Sequence, residues 1–351
     1  MVGPPGGGSR LFLIVAQISG NFQGAGIFQR PHFWIISSEN IGTFFGAEWV
    51  MMEVSERQKA KTGGERMSEI CKVGFIDYYL DEWHANNYPE FLRKASGGRV
   101  AAVYAYGHID SPLGGRTTEQ WCAEMGMERC GTIDEVVEKS DCIIVLSPDN
   151  PEMHWELCQK PLRSGKRVYV DKTFAPSAKI ARDLFALAEE YHTPMYSSSA
   201  LRYSLGLAEL PEKEAVWVSS YGPGVPENYL IHQLEPLSLI MKAPAERVLY
   251  TPAGDTANYR FTFRGGKTAA VSLFGWNGDA PFSMTVRFAD GSILRLPDAE
   301  GYFDRFIGNL VRFFETGEGA VDKEQTISVM AMIEAARKAE EVLGEWVEIQ
   351  E

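Results

Sequence analysis

"KVGFIDYYLDEWH", Lys72–His84, sets the reading of the chain. Cys71–Ile76 is a short β-prone run. It passes through Asp77-Tyr78-Tyr79-Leu80-Asp81-Glu82 into a helical stretch that continues to Tyr88-Pro89-Glu90-Phe91-Leu92. The turn contains no glycine; Gly74 lies inside the strand. Outward from this unit the elements alternate. Arg99–Tyr106 ("RVAAVYAY") is a second strand. Thr132, with Glu135 three residues later, opens a short helix as a capping box. Asp141–Leu146 ("DCIIVL") is a continuous apolar run, the pattern of a strand buried on both faces. A helix is predicted from about Pro151 to Ser164, stopped by Gly165, and Arg167–Val170 is the next strand. Ser177–Tyr191 is amphipathic, with Ile180, Leu184, Leu187 and Ala188 on one side; Thr193-Pro194 ends it and Met195-Tyr196 starts another strand. Strand-helix alternation predicts an α/β Rossmann-like, doubly wound parallel sheet over residues 67–195. Such sheets take ligands at the carboxyl ends of their strands. The turns after Ile76, Tyr106, Leu146 and Val170 therefore carry the chemistry.

The chain has 351 residues, enough for two domains. Hydrophobic residues make up 45% and charged residues 23%, a balance that suits a soluble protein. The net charge of −13 opposes binding to nucleic acid or an anionic membrane, and no Lys/Arg stripe reverses it locally. Five scattered cysteines without a C-x-x-C pair argue against a disulfide framework or a zinc knuckle. They point to a reducing cytoplasm and to no metal. No apolar run approaches the roughly 20 residues that span a bilayer; Leu11–Ala16 makes a poor signal core.

Residues 1–66 read differently: turn-rich, then apolar without period, then "RQKAKTGGERM". Purine-rich codons for Gly63-Gly64-Glu65 can contain a bacterial ribosome-binding site. The expectation is that Met67 is the natural start and that this segment is translated upstream sequence, probing no part of the fold. The alternative is a true extension, disordered or docked on the body.

From about Tyr196 to Glu351 the pattern predicts an α+β domain with an open antiparallel sheet. "NYRFTFRGGKTAAVSLFGW" alternates Tyr259, Phe261 and Phe263 with Arg260, Thr262 and Arg264, and turns at Gly265-Gly266. "SMTVRFADGSILRL" turns at Asp290-Gly291. Strands at Ala215–Tyr221 and Arg247–Thr251 join the sheet. One helix carries the stripe Phe303, Phe306, Ile307, Leu310, Phe313 and Phe314, a core face; another runs from about Lys323 to Leu343. An open sheet leaves a face to cover.

The stretch "DCIIVLSPDNPEMHWELCQKPLRSGKRVYVDKTFAPS" resembles the glucose-fructose oxidoreductase, inositol dehydrogenase and MocA family. Ser147-Pro148-Asp149, His154, Gly165-Lys166-Arg167-Val168 and Asp171-Lys172-Thr173 stand where that family has its motifs, with Asp for Glu and Thr for Pro in the last. The resemblance extends over about residues 70–350. It implies NAD or NADP in the first domain, a sugar, cyclitol or related polyol as substrate, hydride transfer near Lys172, and a homo-oligomer formed through the C-terminal sheet. On that basis Ile76, Asp77, Tyr78, Tyr79, Leu80, Ser147, Pro148, Asp149, His154, Asp171 and Lys172 face the cofactor. His154 is equally readable as a packing or capping residue. A lysine just past a buried strand can hydrogen-bond a substrate oxygen as alcohol becomes carbonyl.

In "ENYLIHQLEPL", Asn228 and His232 are four apart and share a helix face, extended by Glu235. The family often places Asp and His at that spacing; Asn228 cannot ionise. His232 is the candidate acid/base. Lys172, His232 and Asn228 are thus the catalytic candidates, and Arg202, Asn228, His232 and Glu235 the substrate contacts. Arg202 also reads as one end of a domain-bridging salt link.

The family's fingerprint turn has three glycines, so that backbone can approach a pyrophosphate. Here Asp77 and Tyr79 take the first two places and Glu82 lies near the third. Each acid facing a phosphate at 4–5 Å costs roughly 1 to 4 kcal/mol. Two readings stay open: a nicotinamide-dependent oxidoreductase with a re-posed cofactor, or a non-redox descendant that binds a carbohydrate-like ligand without a dinucleotide.

Overall fold

The computed structural model describes residues 70–275, 280–296 and 299–350. The expectations for residues 1–66 lie outside the described residues. The first sheet and its helices run in order: β1 (Cys71–Asp77), α1 (Trp83–Ser96), β2 (Val100–Gly107), α2 (Thr118–Met125), β3 (Glu128–Arg129), α3 (Ile133–Lys139), β4 (Cys142–Val145), α4 (His154–Leu157), β5 (Arg167–Val170), α5 (Ala178–Glu190) and β6 (Met195–Tyr196). The strand order is β3-β2-β1-β4-β5-β6, and every pairing is parallel. The order reverses between β1 and β4, so the crevice where such sheets bind ligands opens beside Asp77 and Leu146.

The apolar run 142–146 is completely enclosed, as its composition predicts. Gly74 makes room on the other side of β1. A Cβ there would stand 2.2 Å from Ser140 Oγ and 2.4 Å from Val136 Cγ1, so α3 lies tight on the strand.

The helix predicted over 151–164 is not continuous. It breaks into a 3₁₀ turn at Pro151–Met153, the single turn α4, and a second 3₁₀ turn at Pro161–Arg163. Pro161 has no amide to give the helix, and its ring crowds the carbonyl of the preceding turn. The capping box at Thr132 is also altered: Thr132 caps Glu135 N, but Glu135 accepts from Gly131 N instead of Thr132 N.

The remainder comprises α6 (Leu205–Ala208), β7 (Ala215–Gly222), α7 (Pro226–Met241), β8 (Ala245–Tyr250), β9 (Ala257–Phe263), β10 (Lys267–Leu273), β11 (Ser283–Phe288), β12 (Ile293–Leu296), α8 (Tyr302–Thr316), α9 (Lys323–Glu341) and β13 (Trp346–Glu348). The second sheet has the order β12-β11-β7-β10-β9-β8-β13. It is mixed, not wholly antiparallel: β7 and β10 pair in parallel. Alternation along a strand reports its two faces but not its direction. On the face away from the helices, Trp217 and Tyr221 are partly exposed.

The last helices turn back onto the earlier elements. The α8 rings of Phe306 and Phe313 pack against Tyr88 and Tyr196, while α9 lies against α5, α7 and β8. Residues Ser68–Glu351 accordingly form one compact unit containing both sheets.

Substituting Gly74 by Ala overpacks the β1–α3 contact. We expect a loss of about 1–3 kcal/mol, read as a lower urea midpoint with unchanged slope. An unchanged midpoint would show that α3 shifts freely.

Candidate active site at the carboxyl edge of the parallel sheet

The turn after β1 stays beside β2 for one more step: His108 N donates to Asp77 O and Ile109 N to Tyr78 O, both at 2.9 Å. The chain then enters α1 without a glycine bend. Glu82 is the N-cap. Its carboxylate accepts from His84 N at 2.7 Å and also from Ala85 N. The amides that a diphosphate uses in this fold are therefore taken by the chain's own carboxylate.

The three acids of the turn have three different fates. Asp81 is neutralised by Arg116, whose backbone amide and guanidinium both donate to it, with help from Asn86 Nδ2 at 3.2 Å. The Arg116 hydrogen bond holds its carboxyl down at about 2. Asp77 is 1% exposed, and among the described residues neither of its carboxyl oxygens has a hydrogen-bond partner. Burial, reinforced by Glu82, pushes its pKa well up; the nearby backbone of Tyr78 and Tyr79 offsets this only in part. Only Glu82 sits on the helix amides. Tyr79 is buried, and Tyr78 stacks on His108 with ring centroids 6.0 Å apart.

From the first turn of α1, His84 reaches across to β5. Its Nδ1 lies 3.2 Å from Glu82 Oε2 and 3.4 Å from Asp171 Oδ2. Burial works against the imidazolium, but Asp171 and Glu82 together outweigh it and raise the pKa. Asp171 also accepts from Tyr169 OH at 3.2 Å. Next in the chain is Lys172, 7% exposed, with a cis Lys172–Thr173 peptide. Its Nζ has one acceptor among the described residues, Pro148 O at a long 3.4 Å. An ammonium has three donors, so most of this one's hydrogen-bonding capacity is unused.

Across the cleft, α7 carries His232. Its Nδ1 is 2.7 Å from Ser199 Oγ, in the serine run that follows β6. No hydrogen bond engages Nε2 among the described residues. Burial, then repulsion from Lys172 and His84, drives the pKa well below the usual imidazole range. His232 is therefore neutral at neutral pH, with a free ring nitrogen, in the electrostatic field of Lys172. Asn228 stands one turn earlier on α7, half-buried.

Other expected site residues do different work. Ile76 and Leu80 are core. His154 is fully buried, with Nδ1 2.9 Å from Phe174 O and Nε2 2.6 Å from Leu146 O. Both nitrogens brace the segments after β4 and β5, leaving none for a ligand. Glu235 does not orient His232. It pairs with Arg202 Nη1 at 3.1 Å, deep in the structure, and Arg202 is held from its other side by Gln325. Burial raises the Glu235 pKa against the pull of Arg202. This is the salt link between the segment after β6 and α7, and neither partner is free for substrate. Ser147 is buried and Asp149 is exposed. Ser147 has φ 84°, a left-handed conformation costly for a non-glycine residue. Its Oγ donates to Asn150 O at 3.0 Å and stabilises the turn.

Glu82 was visible in the sequence as an acid of the opening turn, but His84 and Ser199 were not among the candidate site residues. The serine run Ser197-Ser198-Ser199, placed directly after the last parallel strand, was the available signal for Ser199.

Residues 94–198 match the model of the GFO_IDH_MocA oxidoreductase family, NAD-binding Rossmann fold. A curated relative, the uncharacterized oxidoreductase YhhX of Escherichia coli, is 29% identical over 109 residues, 31% of this chain and 25% of the relative. The match thus spans about a quarter of the curated relative's length. Among solved structures, GenD2 from gentamicin A biosynthesis in complex with NAD superposes with a TM-score of 0.66 at 15% identity, covering 83% of this chain and 99% of that one. Myo-inositol 2-dehydrogenase from Lactobacillus plantarum gives 0.66 at 13%, covering 80% and 100%. UDP-N-acetylglucosamine 3-dehydrogenase GnnA from Acidithiobacillus ferrooxidans gives 0.63 at 14%, covering 77% and 97%. At these identities the structures establish the fold. The chain resembles the glucose-fructose oxidoreductase, inositol dehydrogenase and MocA family, with the marker glycines of its first turn missing. The non-redox reading finds no support among these proteins. No helix among the described residues is long and apolar enough to cross a membrane.

Replacing Glu235 by Gln strands Arg202 as a buried, unpaired charge. The expected loss is about 3–5 kcal/mol in equilibrium unfolding. A loss under about 1 kcal/mol, the range of exposed pairs, would contradict the burial assigned to this link.

Proposed function

We propose that the cleft between the carboxyl edge of the parallel sheet and α7 is the active site of an oxidoreductase that acts on a hydroxyl or carbonyl carbon of a sugar, cyclitol or related polyol. One observation carries the reading. A nearly acceptor-free Lys172 ammonium and an unengaged His232 Nε2 share the cleft at the place where this fold does its chemistry. The inositol and amino-sugar dehydrogenases with the same fold support the substrate class.

The roles follow from charge. His232 is held neutral and can take the proton of a substrate hydroxyl at Nε2, while Ser199 fixes the ring through Nδ1. Lys172 donates to the same substrate oxygen and stabilises the negative charge that builds there as the proton leaves. Asn228 presents an uncharged amide from the preceding turn of α7 and serves to orient a second hydroxyl. His84, whose pKa is raised against burial by Asp171 and Glu82, lies with its Nδ1 3.4 Å from Oδ2 of Asp171, the residue before Lys172 in the chain.

The family's cofactor is a nicotinamide dinucleotide. Its diphosphate does not fit the α1 amides as they stand, because Glu82 occupies them and Asp77 lies buried beside it. What this chain's own residues supply is the binding of a hydroxyl-rich substrate and the movement of its proton.

Turnover of a panel of inositols and sugars, with NAD or NADP added, is the test. Lys172→Met and His232→Ala should each lower kcat/KM by roughly 10²- to 10⁴-fold while the protein stays folded. No turnover across the panel by the intact chain, or variants as active as the parent, would reject this assignment.

A further inference from the structure

We infer that Glu82 is an internal stand-in for a diphosphate: its carboxylate fills the anion position at the N-terminus of α1, and a dinucleotide binds this chain only by displacing it. The inference takes the diphosphate ligand from the oxidoreductase reading and nothing else from it.

The helix has fourteen residues, and its first-turn amides point to the edge of the sheet where β1 and β4 part. A helix N-terminus favours negative charge, and amide hydrogen bonds to an ionised acceptor are among the stronger ones. Glu82 satisfies both requirements from within. It takes two amides, His84 N and Ala85 N, and its Oε2 also lies 3.2 Å from His84 Nδ1. An incoming diphosphate would meet the His84 and Ala85 amides already taken, and would face two further carboxyl groups, Asp77 and Asp171, both 1% exposed.

The surroundings fit an anion position that has been closed. Asp77, whose carboxyl oxygens have no hydrogen-bond partner of good geometry among the described residues, ends β1 where the fold elsewhere offers glycine backbone to a phosphate. Asp81, the remaining acid of the turn, is consumed by Arg116 and takes no part. Of the carboxyl groups at this position, Glu82 is the one that occupies the helix amides directly.

ADP-ribose carries the adenosine diphosphate of the cofactor without nicotinamide, so its binding does not depend on the chemistry assigned to Lys172 and His232. Isothermal titration of the full chain with ADP-ribose, with adenosine as the phosphate-free control, separates the terms. Glu82→Ser keeps a good N-cap while removing the charge and shortening the side chain. It should tighten ADP-ribose binding at least tenfold and leave adenosine unchanged. Glu82→Gln keeps the length and loses only the charge, so it should show a smaller gain of the same sign. If Glu82→Ser fails to fold, Glu82→Gln decides alone. Unchanged or weaker ADP-ribose binding in the folded variants overturns the inference. So does an equal gain for adenosine, because the effect would then not lie at the diphosphate.

Discussion

The Glu82 carboxylate accepts the amide protons of His84 and Ala85 and lies 3.2 Å from the His84 imidazole. With Glu82 in place, α1 starts without a glycine turn, and a non-glycine chain can run from β1 alongside β2 into the helix. The same carboxylate helps to charge His84, which is then the natural partner of Asp171 at the end of β5. Burial first, then Lys172 and His84, lower the pKa of His232 on α7. One cap therefore orders the turn and biases the protonation of two histidines. A cap of this kind contributes typically about 1 kcal/mol to helix stability.

The parallel half was legible because its signals are local. A short continuous apolar run such as 142–146, flanked by turn signals, fits a strand covered on both faces, and the stops at Gly165 and Pro194 fall where the chain turns. The segment 151–164 reads as one helix up to its stop at Gly165, but Pro161, which has no amide to donate, breaks it into two 3₁₀ turns around the single turn α4. The parallel pairing of β7 with β10 left no trace in alternation, since strand direction depends on connections and not on faces.

The site was legible in its chemistry and not in its pairings. Lys172 and His232 follow from motif position. That Glu235 belongs to Arg202, and His232 to Ser199, depends on contacts between residues thirty-three apart. Charge in the opening turn was visible as three acids. Their separate fates, one capping, one buried and one salt-bridged, are set by Arg116 and by the depth of β1, neither of which has a signature within the turn itself. Fold and function also part company here. The superposed structures share the fold, while the turn after β1 in this chain lacks glycine and is capped by Glu82.

The central claim is that the two histidines are shifted in opposite directions, His84 upward against its burial by its carboxylates and His232 downward by burial and neighbouring positive charge. Titrating the ring nitrogens of these two residues by NMR, assigned by single substitutions, tests it directly. His84 should titrate above the ordinary imidazole midpoint, because Asp171 and Glu82 outweigh its burial; His232 should stay neutral until well below that midpoint. Two histidines titrating together near the usual value of about 6.5 would contradict the account.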